Sequence, residues 1–109
     1  MKTRIDRITE NEKRLDKIEK NLKNLEKEIR KLHSNQKDYQ LINQYYGSKE
    51  WLKDKELQEQ KKIPNIRAGV LSEDAIWNMN EELIETLEEM KQVIKEYENI
   101  KKKEEIKWK

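Results

Sequence analysis

The apolar residues in the N-terminal part of the chain recur in alternating steps of three and four between Leu15 and Leu32. This spacing is the heptad signature of a helix that packs lengthwise against another helix. The a positions of the repeat are Leu15, Leu22 and Ile29, and the d positions are Ile18, Leu25, Leu32 and Tyr39. Since no glycine or proline occurs before Gly47, the pattern predicts one long helix over residues 4–46.

Such a helix would be about 65 Å long, which is too long to be buried within one small globule. It therefore needs a second long helix alongside. The same register places Asn11, Gln36 and Asn43 on the apolar stripe. Polar residues there either fix the register of the packed helices or lie where the partner helix has diverged, and the pattern leaves both interpretations open.

A second apolar stripe runs through the C-terminal part of the chain. It comprises Ile76, Met79, Leu83, Leu87, Met90, Ile94 and Tyr97, and it is widened on one flank by Ile84, Val93 and Ile100. This pattern predicts a helix over residues 73–104, followed by a charged tail, residues 105–109, that frays. The width of the stripe indicates contact with more than one other helix.

The start of this helix is marked by several local signals. Ser72 is suited to be its N-cap, and Glu73 and Asp74 occupy the first turn, where the helix dipole favours acidic side chains. Leu71 and Ile76 stand at the two positions of a hydrophobic staple, which fixes the direction in which the chain enters the helix.

The segment between the two stripes contains the signals for a turn and a short helix. Gly47 ends the first helix, because glycine adopts the left-handed conformation common at helix ends. Ser48 is a suitable N-cap for a short helix over residues 49–61. Pro64 is expected to stop that helix, and a connector over residues 62–71 follows.

These elements predict an all-α fold in a single domain, residues 1–109. Two long helices form an antiparallel, coiled-coil-like hairpin, with the short middle helix and the connector at one end. The wider stripe of the third helix leaves apolar surface uncovered. We therefore expect a homodimer that buries this surface, since two-fold dimers are the commonest oligomers.

Composition and charge are consistent with this architecture. Charged residues make up 44% of the chain and hydrophobic residues 33%, as expected for long helices with narrow apolar stripes. Residues 1–46 carry 12 basic and 8 acidic side chains, whereas residues 72–98 carry 2 basic and 9 acidic ones. The basic first helix is therefore expected to lie beside the acidic third helix.

The same composition restricts the compartment. The first twenty residues are charged throughout, unlike a signal peptide. No apolar run approaches the roughly 20 residues of a membrane-spanning helix, and cysteine is absent. Together these features predict a cytoplasmic protein that does not associate with membranes.

The residues that usually carry catalysis are scarce. The chain has one histidine, no cysteine, no glycine-rich phosphate loop and no HExxH motif. A Ser–His–Asp triad would need His33 beside a serine, and nothing in the sequence supports that geometry. We therefore predict no enzymatic activity, no catalytic residue, no metal site and no cofactor.

The strongest functional signal is a group of aromatic residues near the two turns, which consists of Tyr45, Tyr46, Trp51 and Trp77. One interpretation is a small satellite core that caps the helix pair. The other is an exposed anchor patch for a partner, because tyrosine and tryptophan are enriched in interface hot spots. In that case Asp54 and Arg67 supply a polar rim, and these six residues form the predicted partner-binding site.

The first helix is an alternative site, for nucleic-acid phosphates. Its candidate residues are Lys13, Lys17, Lys20, Lys23, Lys27, Arg30 and Lys31. Three acidic residues, Glu19, Glu26 and Glu28, are expected to interrupt this basic track. No aromatic residue for base stacking lies between Met1 and Lys37. Binding to phosphates is therefore the second hypothesis.

A motif around the turns resembles a known family. Its residues are Tyr45, Tyr46, Gly47, Ser48, Trp51, Asp54, Pro64, Gly69, Val70, Leu71, Ser72, Glu73 and Asp74. The stretch is similar to a small bacterial and phage family catalogued as domain of unknown function 4298. That family usually has a glycine near position 61, where this chain has Lys61, and it tends to be more basic around Arg67.

The resemblance implies that this motif is the functional unit, and membership in phages implies an inhibitor of a host system. Together with the absence of catalytic residues, it predicts a non-enzymatic helical interaction module. Such a module acts as an adaptor or as a stoichiometric inhibitor of a larger protein.

Overall fold

The structure, a computed structural model, describes residues 2–105 and consists of helices joined by short connections. Helix α1 spans Arg4–Tyr45, α2 spans Lys49–Glu59 and α3 spans Ala75–Lys103, with a 3-10 turn at Gly69–Leu71 between α2 and α3. No strand occurs among the described residues, which confirms the predicted all-α class. The predicted fraying of residues 106–109 lies outside the described residues.

The chain comprises two compact units, Met1–Leu41 and Ile42–Lys109, called unit 1 and unit 2 below. Unit 1 contains most of α1. The helix begins at Arg4 because Thr3 caps it: the Thr3 hydroxyl accepts the backbone N–H of Asp6 at 3.0 Å, and the Asp6 carboxylate accepts that of Thr3 at 3.1 Å. These reciprocal hydrogen bonds form a capping box and lower the pKa of Asp6.

No residue of α1 is buried. The six a and d residues from Leu15 to Leu32 are between 39% and 63% exposed. The apolar stripe that the heptad pattern identifies is therefore present on a continuous helix but is open to solvent in the single chain.

The buried residues among positions 2–105 all lie in unit 2. They are Trp51 on α2, Leu71 in the 3-10 turn and Ile76 on α3, with exposures of 6%, 5% and 2%. Because each comes from a different element, this small core joins α2, the 3-10 turn and the start of α3.

The turn between α1 and α2 follows the prediction. Gly47 has φ of 79°, in the left-handed region that glycine adopts at little cost. The Ser48 hydroxyl accepts the backbone N–H of Trp51 at 3.1 Å and so caps α2. These two residues allow the chain to leave one helix and enter the next within three residues.

The end of α2 differs from the prediction that Pro64 stops it. The helix ends at Glu59, and Lys61, two residues later, has a φ of 57°. The N–H of Lys62 donates to Leu57 O and that of Lys61 donates to Gln58 O, both at 2.9 Å. This is a Schellman motif with a lysine in the position that usually holds glycine. These hydrogen bonds to the carbonyl oxygens of Leu57 and Gln58, rather than Pro64, therefore end α2.

At the start of α3, the N-cap position is held by Asp74, whose side chain makes no capping hydrogen bond, and not by the predicted Ser72. The Ser72 hydroxyl nevertheless accepts the backbone N–H of Ala75 at 3.0 Å. Regular α-helix begins at Ala75 rather than at residue 73, since Glu73 and Asp74 lie in a turn. Leu71 and Ile76, the predicted staple, are both buried.

A polar pair joins the end of α1 to the start of α3. The side-chain amides of Asn43 and Asn80 donate to each other, at 2.8 and 3.4 Å. Of the two interpretations of the polar seam residues, Asn43 therefore matches the one in which such a residue fixes helix register.

No helix among residues 2–105 is long and apolar enough to cross a membrane.

Candidate functional site

Trp51 is the centre of the turn region of unit 2. Its indole N–H donates to the carbonyl oxygen of Val70 at 2.8 Å, which fastens the connector to α2. The ring of Tyr46 meets the Trp51 ring edge-on, with centroids 5.2 Å apart and an angle of 77° between the planes. Edge-on contact is a favoured geometry for aromatic pairs, so the indole is fixed by both polar and apolar contacts.

A second set of contacts ties the same turn to the start of α3. The Tyr46 hydroxyl donates to the carbonyl oxygen of Glu73 at 2.8 Å. The ammonium group of Lys55 lies 5.3 Å from the centroid of the Trp51 ring and pairs with the Glu73 carboxylate. The hydrogen bond from Lys55 and its positive charge lower the pKa of Glu73. The motif residues Tyr46, Trp51 and Glu73 thus have direct structural roles.

Tyr45 and Asp54 form a third contact. The Tyr45 hydroxyl donates to Asp54 Oδ2 at 2.6 Å. This hydrogen bond, followed by burial and the negative charge of Asp54, raises the pKa of Tyr45 from 10.0 to about 12. The neutral phenol is therefore the form that the folded protein stabilises.

We expect the contribution of Tyr45 to stability to be lost in alkaline solution. Its folded pKa of about 12 exceeds the ordinary value of 10.0, so the contribution is complete below pH 10 and declines as the pH rises towards 12. The free energy of unfolding of the wild type should therefore approach that of Tyr45→Phe across this range, as measured by urea titrations. A constant difference between the two proteins would argue against the hydrogen bond.

The aromatic residues do not form one surface. Trp51 is buried and Tyr45 and Tyr46 are half-buried with bonded hydroxyl groups, which matches the satellite-core interpretation. Trp77 is 57% exposed on α3. Burial leaves the indole of Trp51 little area for a partner. Trp51 therefore does not belong to the binding surface as predicted, and it positions neighbouring residues instead. Trp77 remains available as an aromatic anchor.

An open groove of about 400 Å³ lies beside this core. It is lined by Ile42, Arg67, Gly69, Val70, Ala75, Ile76 and Met79. Within residues 2–105 the guanidinium of Arg67 has neither an ion pair nor a hydrogen bond, and the residue is exposed. The groove therefore combines apolar walls with one unpaired cation, a combination suited to binding an apolar group next to an anion.

The sequence does not predict that Ile42 and Met79 belong to this site. Met79 has the appearance of an ordinary stripe residue of the third helix, and Ile42 lies in the first helix beside Asn43. Periodicity gives no indication that the turn brings them together with Arg67. The exposed Arg67 is the one groove residue that the predicted binding site also contains.

The seven candidate phosphate-binding residues of α1 lie on one face of unit 1. Lys13, Lys20 and Lys27 share the f position of the heptad, and the b and c positions add Lys17, Lys23, Arg30 and Lys31. Glu19, Glu26 and Glu28 fall at e and g, at the border between this face and the apolar stripe. Glu28 pairs with Lys31 at 3.2 Å, as expected of an acidic residue that interrupts the basic track. Between positions 13 and 31, the basic face contains one acidic residue, Asp16.

A family model described as Domain of unknown function (DUF4298) matches residues 8–92. The chain belongs to this family. The match includes the turn motif and α2 completely, most of α1, and α3 as far as Gln92, which confirms the resemblance carried by residues 45–74. No curated protein and no solved structure matches the chain.

Proposed function

We propose that the chain is a non-enzymatic helical interaction module that binds a larger protein through unit 2, as an adaptor or as a stoichiometric inhibitor. The observation that carries this proposal is the groove between the end of α1, the connector and the start of α3, with Arg67 unpaired at its edge. Its volume of about 400 Å³ would accept one or two apolar side chains of a partner segment.

The charge around the groove indicates the chemistry of the partner. Arg67 is the one charged residue among those that line the groove. A segment with an apolar side chain followed by one or more carboxylates would fill the groove and pair with Arg67. Such charge complementarity speeds encounter and disfavours partners of the wrong sign. We therefore propose an acidic, apolar segment of the larger protein as the occupant.

The contacts around Trp51 support binding by making the groove rigid. The hydrogen bond from Trp51 to Val70 and that from Tyr46 to Glu73 fix two segments beside the groove. A preformed surface loses less conformational entropy on binding than a flexible one. Trp77, exposed one residue after the buried Ile76, would add aromatic contact area at the same end of α3.

We further propose that the module is an inhibitor that acts in the cytoplasm on a host protein. Such an inhibitor works by occupying a surface, and it forms a complex of fixed stoichiometry without turnover.

The test compares two substitutions of the same type, Arg67→Glu and Arg30→Glu. Wild-type protein immobilised at low density would be used to isolate the partner from the native host, and the affinity would then be measured by calorimetry. We expect Arg67→Glu to weaken binding at least tenfold, since a pair with a carboxylate becomes a repulsion. Arg30→Glu, on unit 1, should bind like the wild type, and both variants should retain wild-type helicity by circular dichroism.

The groove is not the binding surface if Arg67→Glu and Trp77→Ala both bind the isolated protein with unchanged affinity. Turnover of any component of the complex would contradict the non-enzymatic part of the proposal. Because the complex is expected to have a fixed ratio, calorimetry gives the stoichiometry in the same experiment.

Binding of nucleic-acid phosphates through α1 is a second candidate, favoured by the single basic face of this helix. Of its seven predicted phosphate-binding residues, only Lys31 has an ion pair within the described chain, with Glu28 at 3.2 Å. Phosphate binding would weaken steeply with added salt. In that case Arg30→Glu would lower the affinity for a DNA or RNA duplex and Arg67→Glu would have little effect, the reverse of the result expected for the groove.

A further inference from the structure

The apolar stripe of α1 is the largest feature of unit 1 that the proposed function leaves unexplained. From Ile8 to Leu32 the a and d positions hold seven leucine or isoleucine residues and one asparagine, Asn11, with no charged residue. Every one of these apolar residues is exposed. An uncharged stripe of this regularity on a continuous 42-residue helix is the pattern of a coiled-coil seam that lacks its partner.

The charges beside the stripe indicate what the partner is. In a parallel pair of identical helices, each g residue faces the e residue of the following heptad on the other helix. Here these pairs are Arg7 with Glu12, Arg14 with Glu19, Asn21 with Glu26, and Glu28 with His33. Two pairs are of opposite charge, and none joins like charges. The e and g positions therefore suit a second copy of the same helix in parallel register.

The antiparallel arrangement of two copies is disfavoured by the same residues. In that arrangement e positions face e positions, and the e residues are Glu12, Glu19 and Glu26. Acidic side chains would then face acidic side chains along the seam, which destabilises the pair.

From this pattern we infer that α1 associates with α1 of a second copy of the chain as a parallel, in-register, two-stranded coiled coil over residues 7–33. The basic b, c and f residues then point away from the seam on both helices. This association uses residues of unit 1, so it depends neither on the groove in unit 2 nor on the proposed function.

Because the chain contains no cysteine, single cysteines report the arrangement. Asn11→Cys places a thiol at a d position, and Lys13→Cys places one at the outward f position two residues later. In a glutathione redox buffer, we expect Asn11→Cys to form a disulfide-linked dimer and Lys13→Cys to remain largely monomeric on non-reducing gels. Equal cross-linking of the two variants would overturn the inference.

A mixture of two variants distinguishes the directions of the helices. In an antiparallel pair centred on the stripe, residue 11 lies opposite residue 29. Disulfides between Asn11→Cys and Ile29→Cys chains, in excess of those between two Asn11→Cys chains, would show that the helices run in opposite directions and would overturn the parallel assignment.

Charge reversal tests the inference without a covalent link. Arg14→Glu and Glu19→Lys each turn two symmetry-related attractions into repulsions, so each should raise the dimer dissociation constant roughly tenfold in sedimentation equilibrium. The double variant restores opposite charges and should return close to the wild-type value. Residues five apart do not face each other on one helix, so effects within a single chain would not produce this recovery.

Two results of the sedimentation experiment would overturn the inference. One is a monomeric wild type at every concentration, and the other is a double variant as weak as the sum of the two single variants. Circular dichroism of each variant confirms that α1 remains helical, since neither substitution introduces a helix breaker.

Discussion

Replacing Trp51 with alanine is expected to lower the free energy of unfolding of unit 2 by about 3–5 kcal/mol, the range for removal of a buried large aromatic side chain. Trp51 is 6% exposed and holds the Val70 carbonyl through its indole N–H. The substitution leaves a cavity, frees the connector from α2 and removes the ring that Tyr46 contacts. Urea unfolding followed by circular dichroism measures the change.

The chain offers a matched control for this experiment, because Trp77 is 57% exposed. Trp77→Ala deletes the same atoms from the surface of α3 and should change stability by no more than about 0.5 kcal/mol. If the two alanine variants were equally destabilised, Trp51 would not be the centre of the core. Trp77→Ala is also one of the binding variants, so its near-native stability makes its affinity interpretable.

Replacing Ile76 with alanine is expected to have the second largest effect, a loss of about 2–5 kcal/mol. Ile76 is the most buried of residues 2–105, with 2% exposed, and it belongs to the core and also lines the groove. Removal of its side chain leaves a cavity in the core and takes away part of the lining of the groove. The variant should therefore unfold at lower urea and bind the partner more weakly even when folded.

Ile84→Ala is the control on the same helix, because Ile84 is 56% exposed. Both substitutions replace isoleucine, a β-branched residue, by alanine, the best helix former. The small gain in helix propensity is therefore the same in both variants. The difference between their unfolding free energies then measures the effect of burying the side chain. A difference below about 1 kcal/mol would contradict the assignment of Ile76 to the core.

The periodic parts of the fold were predictable because they depend on local sequence. The heptad pattern of α1 and the stripe of α3 place both helices, and Gly47, Ser48 and Ser72 act at helix ends as their chemistry predicts. The end of α2 was not predictable in this way, because a lysine with positive φ is uncommon.

The site was only partly predictable, for a different reason. Trp51 and Trp77 both lie next to turns, and no pattern along the chain shows that one is buried and the other exposed. That distinction depends on how three elements pack. The groove depends on the same packing, since it joins Ile42, Arg67 and Met79, which are far apart in sequence.

The location of the three buried residues has a consequence for the kinetics of folding. Trp51, Leu71 and Ile76 lie within one short stretch of chain, so the loops that close when the core forms are short and their entropic cost is small. Chains whose contacts are local in sequence fold within microseconds to milliseconds, and a single helix such as α1 relaxes in about a microsecond or less. A slower refolding step whose rate increases with protein concentration would therefore report the meeting of two chains rather than the formation of the core.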